Sequence, residues 1–197
     1  YSSNKKLDIK QIHGKKLSHN NYNDIFYALS VSKSFPRNRG TVIVKHANPC
    51  GVSIKKNQID SYLSALSCDP VSAFGGIVAC NYKITKKIAM QLSKIFFEVI
   101  ISNGFEKKAL KILKKNKNIR LIDSTNLDIP LSDNYISNFN SLLVQSPDLI
   151  KFKSKNFKIV SKKKPSSKQL NDLIFAFDVC KHVKSNAIVI ANDKSTL

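Results

Sequence analysis

Residues 45 and 46, a lysine and a histidine, follow directly on a run of apolar or β-branched residues at 41–44. Histidine titrates near neutrality and can move protons, while a neighbouring ammonium group can stabilise developing negative charge. Two interpretations therefore compete. Either Lys45 and His46 form part of a reactive site, or His46 is packed and hydrogen-bonded while the Lys45 side chain extends into solvent. The dipeptide taken alone favours the second interpretation.

Two further segments have the residue types of a ligand site. Phe74 precedes Gly75, and glycine lets backbone amides approach a ligand while an aromatic ring can cover a flat heterocycle. Asn186 lies between an apolar helix and an apolar strand, and its amide can donate and accept at once, as an amide-bearing substrate requires. Taken alone, each segment is equally well explained by a structural role, as a tight turn or a helix cap. The remaining histidines, His13, His19 and His182, are expected to be structural or surface residues.

Short apolar strands alternate with amphipathic helices along most of the chain. Strands are predicted near residues 9–12, 41–44, 77–80, 98–101, 120–122, 141–145 and 187–191, with a turn at 48–51 and a long loop at 123–140. Helices are predicted from Asn20-Asn21, over 59–67, from Thr85, over 106–115 and from the S-x-x-Q capping box at 166–169. This alternation predicts an α/β domain with a mostly parallel sheet and helices on both faces.

Ligands of parallel sheets gather beyond the carboxyl ends of the strands. Lys45 and His46 end one predicted strand, and the turn Asn103-Gly104 ends another. The sequence therefore places both features at the edge where a ligand is expected.

Composition limits the class of protein. With 197 residues, 42% of them hydrophobic, the chain can form one domain with a sizeable core or two small lobes. It has no apolar run of membrane-spanning length and no evident signal segment, which favours a cytoplasmic protein without a membrane partner. Four cysteines, Cys50, Cys68, Cys80 and Cys180, are irregularly spaced and form no C-x-x-C pair. Three of them lie in apolar surroundings, which fits small buried thiols better than a disulfide framework.

The formal net charge of +20 raises the alternative of a basic nucleotide- or RNA-binding domain without catalysis. Only Arg37, Arg39 and Arg120 are arginines, and the other positive residues are lysines. Sequence-specific readers rely on the bidentate arginine fork, and single-strand binders interleave basic and aromatic residues. We therefore expect no nucleic-acid partner, while the charge could concentrate small anionic molecules.

Five segments occur in an order and spacing typical of one family: KHANPCG, DPVSAFGG, EVIISNGFEKKAL, SLLVQ and KHVKSNAIV. Together with LSHNNYND, they make the sequence resemble the transformylase domain of the AICAR transformylase/IMP cyclohydrolase family over essentially its whole length. The resemblance implies a cytidine-deaminase-like, three-layer first lobe at 1–147 and, at 148–197, a linker and the start of a following lobe. It also implies a homodimer in the parent enzyme.

The resemblance further implies an enzyme of de novo purine biosynthesis. Such an enzyme transfers a formyl group from the co-substrate 10-formyltetrahydrofolate to the 5-amino group of AICAR (5-aminoimidazole-4-carboxamide ribonucleotide), giving FAICAR. The parent protein would also close FAICAR to IMP. By resemblance, His46 moves the proton of the attacking amine, Lys45 stabilises the oxyanion or assists the folate leaving group, and Asn186 positions the carboxamide and formyl groups. The implied substrate-binding residues are Asn21, Phe74, Gly75 and Glu98.

The sequence departs from the family pattern in several places. The segments R-Y-G-x-N-P-H-Q and G-I-G-x-G-Q-x-S-R and the cyclohydrolase domain lie outside it, and Ser102-Asn103 replaces the usual Ala-Pro. The chain is thus expected to be a fragment that cannot turn over alone. A deaminase-like hydrolase lacking zinc is the enzymatic alternative. The zinc pattern H-x-E with P-C-x-x-C is broken at Asn48 and Ser53, so no metal is expected.

Overall fold

The computed structural model describes residues 9–127, 129, 133–148, 150 and 157–197, over which short strands alternate with helices. The strands are β1 (Lys10–His13), β2 (Gly40–Lys45), β3 (Asn48–Ile54), β4 (Ile77–Cys80), β5 (Val99–Ser102), β6 (Arg120–Asp123), β7 (Asn134–Asn138), β8 (Ser141–Gln145), β9 (Ala191–Asn192) and β10 (Ser195–Thr196). The helices are α1 (His19–Ser34), α2 (Gln58–Cys68), α3 (Pro70–Ala73), α4 (Lys86–Leu92), α5 (Lys107–Leu113) and α6 (Ser167–Cys180). None of the helices in these ranges is both long and apolar enough to cross a membrane.

Eight strands form one sheet in the order β1-β6-β5-β4-β2-β3-β10-β9. The predicted α/β class is confirmed, but the prediction of a mostly parallel sheet is wrong, because only β4–β5 and β5–β6 are parallel pairs. The helices α4 and α5 supply the crossovers that parallel pairs need. In contrast, β2 and β3 are joined by the two residues His46 and Ala47, and so short a connection permits only an antiparallel hairpin. The turn predicted at 48–51 is therefore the start of β3.

The direction of β2 decides where Lys45 and His46 lie. Val44 at the end of β2 pairs with Ile77 at the start of β4, and Ile77 aligns with Val99 at the start of β5. Lys45 and His46 thus lie at the amino-terminal edge of the parallel strands. The Asn103-Gly104 turn follows β5 and lies at the opposite edge, so the expectation of one shared ligand-binding edge is wrong.

Alternating side chains of the central strands pack into two apolar layers, one on each face of the sheet. Val44 and Ile101 face the layer that contains Ile25 and Leu29 of α1. Ile43 and Ile100 face the layer formed with Tyr62 of α2 and with α4 and α5. Helices on both faces, as predicted, make three layers.

Elements from the later part of the chain pack against this sheet and extend it. Phe175 of α6 packs against Phe35 with ring centroids 5.8 Å apart, and Ser195 of β10 pairs with Ser53 of β3. Elements on both sides of the predicted boundary at 147/148 therefore share one core. The assignment of residues 148–197 to a following lobe stays a prediction, and its residues 149 and 151–156 lie outside the described residues, as do 1–8.

Two strand predictions need correction in this region. The loop predicted at 123–140 contains β7, which pairs with the correctly predicted β8 in a separate two-stranded sheet. Of the strand predicted at 187–191, only the last residue, Ala191, lies in a strand. Ala191 begins β9, because the pairing with β10 starts only there.

Candidate active site

The turn between β2 and β3 has an unusual backbone conformation. His46 and Ala47 both adopt left-handed conformations, with φ of +55° and +51°. Positive φ at both central residues is what a two-residue hairpin turn of type I′ requires. The side chain of His46 is exposed at the tip, and the described residues give its imidazole no hydrogen-bond partner. The imidazole is therefore accessible for proton transfer to or from a ligand.

Lys45 lies over the peptide between Phe74 and Gly75. Its ammonium group donates a hydrogen bond to the carbonyl oxygen of Phe74 at 2.6 Å, and a Cβ built on Gly75 would lie 3.7 Å from the Lys45 Nζ. Gly75 has a φ of +69°, and its N–H donates to the carbonyl of Phe96 at 2.8 Å. Glycine adopts this left-handed conformation without strain. The structure thus brings Lys45 together with two of the predicted substrate-binding residues.

The ring of Phe74 is a flat apolar surface at this edge. It is 60% exposed although it packs against Phe96, with ring centroids 5.9 Å apart. Ligand sites are lined mainly by apolar and aromatic side chains, with a few polar groups that fix the orientation of the ligand. Phe74 can therefore cover a planar ligand next to the Lys45 ammonium.

Asn21 and Glu98 meet behind this surface. The Asn21 amide donates from Nδ2 to the Glu98 carboxylate at 2.9 Å, and the Glu98 N–H donates to the carbonyl of Gly76 at 2.9 Å. Asn21 is only 4% exposed and also accepts from the N–H of Ser18 at 3.1 Å. It is therefore part of a capping box with Ser18, which is the N-cap of α1, and not the cap predicted at Asn20-Asn21. Asn21 orients the half-buried Glu98 carboxylate.

The segment that contains Asn186 is attached to the same region through Lys184. Lys184, two residues before Asn186, donates from its ammonium to the carbonyl of His46 at 3.0 Å and from its N–H to the Asn48 side chain at 3.4 Å. Asn186 itself is exposed. Residues 184–186 are thereby attached to the turn that carries His46, although the described hydrogen bonds join Asn186 to neither Lys45 nor His46.

Other titratable groups near the fold's core are held in their neutral forms. Burial, and next the Lys181 ammonium, lower the pKa of His182 to about 4 despite the opposing charge of Asp148. Burial raises the pKa of the Cys50 thiol to about 11. All four cysteines are free, as predicted, but only Cys80 is fully buried, whereas Cys50, Cys68 and Cys180 are partly exposed. Neither His182 nor Cys50 is thus charged near pH 7.

The positions that would complete a zinc-deaminase pattern make other bonds. The Asn48 side chain accepts from the N–H of Lys184, and the Ser53 hydroxyl bonds the Ser195 hydroxyl at 2.8 Å. Within the ranges that the structure describes, no group of three or more His, Cys, Asp or Glu residues is arranged to hold a metal ion.

Three contributors to this edge were not predicted. Asp24 accepts a hydrogen bond from the N–H of Ala47 at 2.7 Å, Lys184 binds the His46 carbonyl, and Phe96 supports both Phe74 and Gly75. Asp24 lies within the LSHNNYND segment and Lys184 within KHVKSNAIV, so proximity to a quoted motif was their one sequence signal.

Comparison with known proteins gives one consistent family. The family model for the AICARFT/IMPCHase bienzyme matches residues 1–197. The bifunctional purine biosynthesis protein PurH of Thermoanaerobacter sp. is 44% identical over 196 residues, which cover 96% of this chain and 37% of that protein. PurH of Acetivibrio thermocellus is 42% identical over 199 residues, covering 95% and 37%, and PurH of Caulobacter vibrioides is 42% identical over 191 residues, covering 95% and 36%.

The chain thus spans just over a third of the length of these relatives, at 36–37%. The family match nevertheless extends over every element described above, from the first strand to the last. On these grounds the chain belongs to the AICARFT/IMPCHase bienzyme family, whose curated members are bifunctional enzymes of purine biosynthesis.

Proposed function

We propose that this chain carries part of the site at which a formyl group passes from 10-formyltetrahydrofolate to the 5-amino group of AICAR. The observation that carries the proposal is the meeting of four features at one sheet edge. These are the Lys45 ammonium, the accessible His46 imidazole, the exposed Phe74 ring and the Glu98 carboxylate. Family membership supports the same conclusion.

The side chains at this edge suit the chemistry of formyl transfer. An aromatic amine is a weak nucleophile, so it must be oriented and must lose its proton as the new C–N bond forms. His46 accepts that proton while the carbonyl oxygen becomes an oxyanion. The bond between the formyl carbon and folate N10 then breaks, N10 takes up a proton, and the products are FAICAR and tetrahydrofolate. Lys45 stabilises the oxyanion or donates the proton to N10.

The neighbouring groups provide orientation. The Phe74 ring covers the aminoimidazole, and Gly75 leaves room for it beside the Lys45 ammonium. The Glu98 carboxylate accepts hydrogen bonds from the substrate, with Asn21 fixing its direction. Asn186 positions the carboxamide and the formyl group from the segment attached through Lys184.

The longer protein, in this proposal, is a cytoplasmic homodimer that also closes FAICAR to IMP. No metal takes part in the transfer. Because the chain spans 37% of its Thermoanaerobacter relative, the isolated chain is expected to bind substrate without turning over.

Substrate binding by the 197-residue chain tests this proposal. We expect AICAR to perturb the backbone NMR resonances of Gly75 and Glu98, and Phe74→Ala to weaken binding roughly tenfold through loss of aromatic contact. Ribose 5-phosphate, which lacks the aminoimidazole, is the control ligand. Perturbations spread over the lysine-rich surface, equal for both ligands and abolished by salt, would contradict the proposal and favour a basic nucleotide-binding domain.

A further inference from the structure

We infer that Asp24 is a positioning residue whose carboxylate, together with the Lys184 ammonium, holds the turn that presents His46 to the substrate. The inference rests on the proposed function for the role of His46. Its structural part, the dependence of the turn on Asp24 and Lys184, stands on the contacts alone.

The left-handed turn needs support from outside the hairpin. His46 and Ala47 both carry a Cβ, and residues with a Cβ adopt positive φ only where their surroundings hold them there. Ala47 is also 6% exposed, so its N–H has little access to water. A buried N–H without a partner is costly, and this one lies in the turn, outside the ladder between β2 and β3.

Asp24 supplies the missing partner. Its carboxylate accepts from the Ala47 N–H at 2.7 Å, and hydrogen bonds to a charged acceptor are shorter and stronger than those between neutral groups. The position of Asp24 is itself fixed, because the next residue of α1, Ile25, is fully buried in the core. The turn is thereby tied to a rigid helix.

Lys184 holds the other side of the turn. Its ammonium binds the carbonyl of His46 at 3.0 Å, from a residue 138 positions later in the chain. Since Lys184 lies two residues before Asn186, the same contact fixes the segment of Asn186 relative to His46. The two anchors act on opposite sides of one peptide group, since Lys184 binds the carbonyl of His46 and Asp24 binds the N–H of Ala47.

Hydrogen exchange in the 197-residue chain tests the structural part. In Asp24→Ala we expect the Ala47 amide to exchange at least tenfold faster and the His46 ring resonances to shift, because the turn loses its anchor. Asp24→Asn keeps an acceptor oxygen and should restore most of the protection. Asp60→Ala, at an exposed aspartate of α2, is the matched control. Unchanged Ala47 exchange in Asp24→Ala would overturn the inference.

Kinetics test the positioning role in an active enzyme, a chimera in which this chain replaces the matching 37% of the Thermoanaerobacter protein. We expect Asp24→Ala to lower kcat roughly tenfold to hundredfold with little change in the KM for AICAR, since misplacing a catalytic group by about 1 Å costs this much. Asp24→Asn should recover most of the loss. Lys184→Met should lower kcat in the same direction, with recovery in Lys184→Arg.

The two measurements separate this inference from the proposed function. An inactive but folded wild-type chimera, with Ala47 exchange responding as expected, would overturn the function while supporting the hold of Asp24 on the turn. An active chimera whose kcat per folded enzyme is unchanged in Asp24→Ala would overturn the positioning role, even if the melting temperature falls.

Discussion

Single residues in this chain owe their chemistry to contacts with distant parts of the sequence. Lys45 binds the carbonyl of Phe74, 29 positions later, and Asn21 binds Glu98, 77 positions later. The His46 imidazole is accessible because it lies at the tip of a backbone turn and has no hydrogen-bond partner among the described residues. The same fold holds His182 in a buried, neutral state.

His182 makes stability depend on pH. In the folded chain its pKa is lowered to about 4, whereas an unfolded histidine titrates near 6.5. Between these values the unfolded state binds more protons than the folded state. The contribution of His182 to the free energy of unfolding is therefore fully present above about pH 6.5 and is lost as the pH drops towards 4, by at most about 3 kcal/mol. Urea unfolding from pH 7 to 4 should show this slope, reduced in His182→Gln.

His19→Gln, at an exposed histidine, is the matched control for that series. It should keep the wild-type pH dependence. Equal slopes for His182→Gln and wild type would show that burial does not suppress protonation of His182.

At the scale of elements, local signals were enough where the structure depends on near neighbours. Thr85 caps α4, and Ser166 with Gln169 forms the capping box of α6, both as predicted, because a cap involves residues two or three positions apart. The strand β4 was predicted with its observed bounds from its apolar run. Cap and strand signals of this kind are contained in a few consecutive residues.

Other elements could not be predicted because their partners are distant. The segment Asn48-Pro49-Cys50-Gly51 has turn-like composition, yet it forms β3 because Gly51 pairs with Ile43 and packs closely on α2. The site followed the same rule. The contacts Lys45–Phe74 and Asn21–Glu98 depend on the order and direction of the strands, which the periodicity of the sequence did not reveal. The resemblance implied only that these residues share one site.

Gly51 should be intolerant of any side chain. A Cβ at this position would lie 2.0 Å from the carbonyl oxygen of Ala65 in α2, so the helix would have to move away from β3. We expect Gly51→Ala to lower the free energy of unfolding by about 2 kcal/mol or more, as overpacking does. Ser67→Ala, at an exposed position of α2, should change it by less than about 0.5 kcal/mol. Equal denaturation midpoints for the two variants would contradict this packing.

At the scale of the whole molecule, charge is the dominant feature. The chain carries 33 Lys and Arg against 13 Asp and Glu, so positive groups repel one another over most of the surface. Among the described residues, ion pairs such as Lys55–Asp193, at 2.5 Å, engage few of these cations. Folding therefore concentrates positive charge, and this opposes stability.

Salt should relieve that repulsion. Raising sodium chloride from 50 to 300 mM shortens the screening length from about 14 Å to about 6 Å, so we expect the melting temperature to rise by a few degrees. Thermal denaturation across a salt series measures this directly. A melting temperature that falls with salt would show that attractive ion pairs outweigh the net repulsion.

The β7–β8 hairpin is the other whole-molecule feature. All ten of its residues are exposed, and an isolated two-stranded sheet is only marginally stable in water. Phe139 at its turn is 98% exposed. We expect Phe139→Ser to leave the melting temperature within about 1 °C while lowering the fluorescence of a bound hydrophobic dye. A loss of several degrees would show that Phe139 is packed in solution.

The central claim is that the chemistry takes place at the sheet edge where the Lys45-His46 turn meets Phe74 and Glu98. Formyl transfer from 10-formyltetrahydrofolate to AICAR by the chimera with the Thermoanaerobacter protein tests it most directly. We predict turnover in the chimera with this chain's own sequence and a loss of roughly 10²- to 10⁴-fold in His46→Ala, with His13→Ala, at a histidine of β1, unaffected. A folded chimera that is inactive, or one in which His46→Ala retains full activity, would contradict the account.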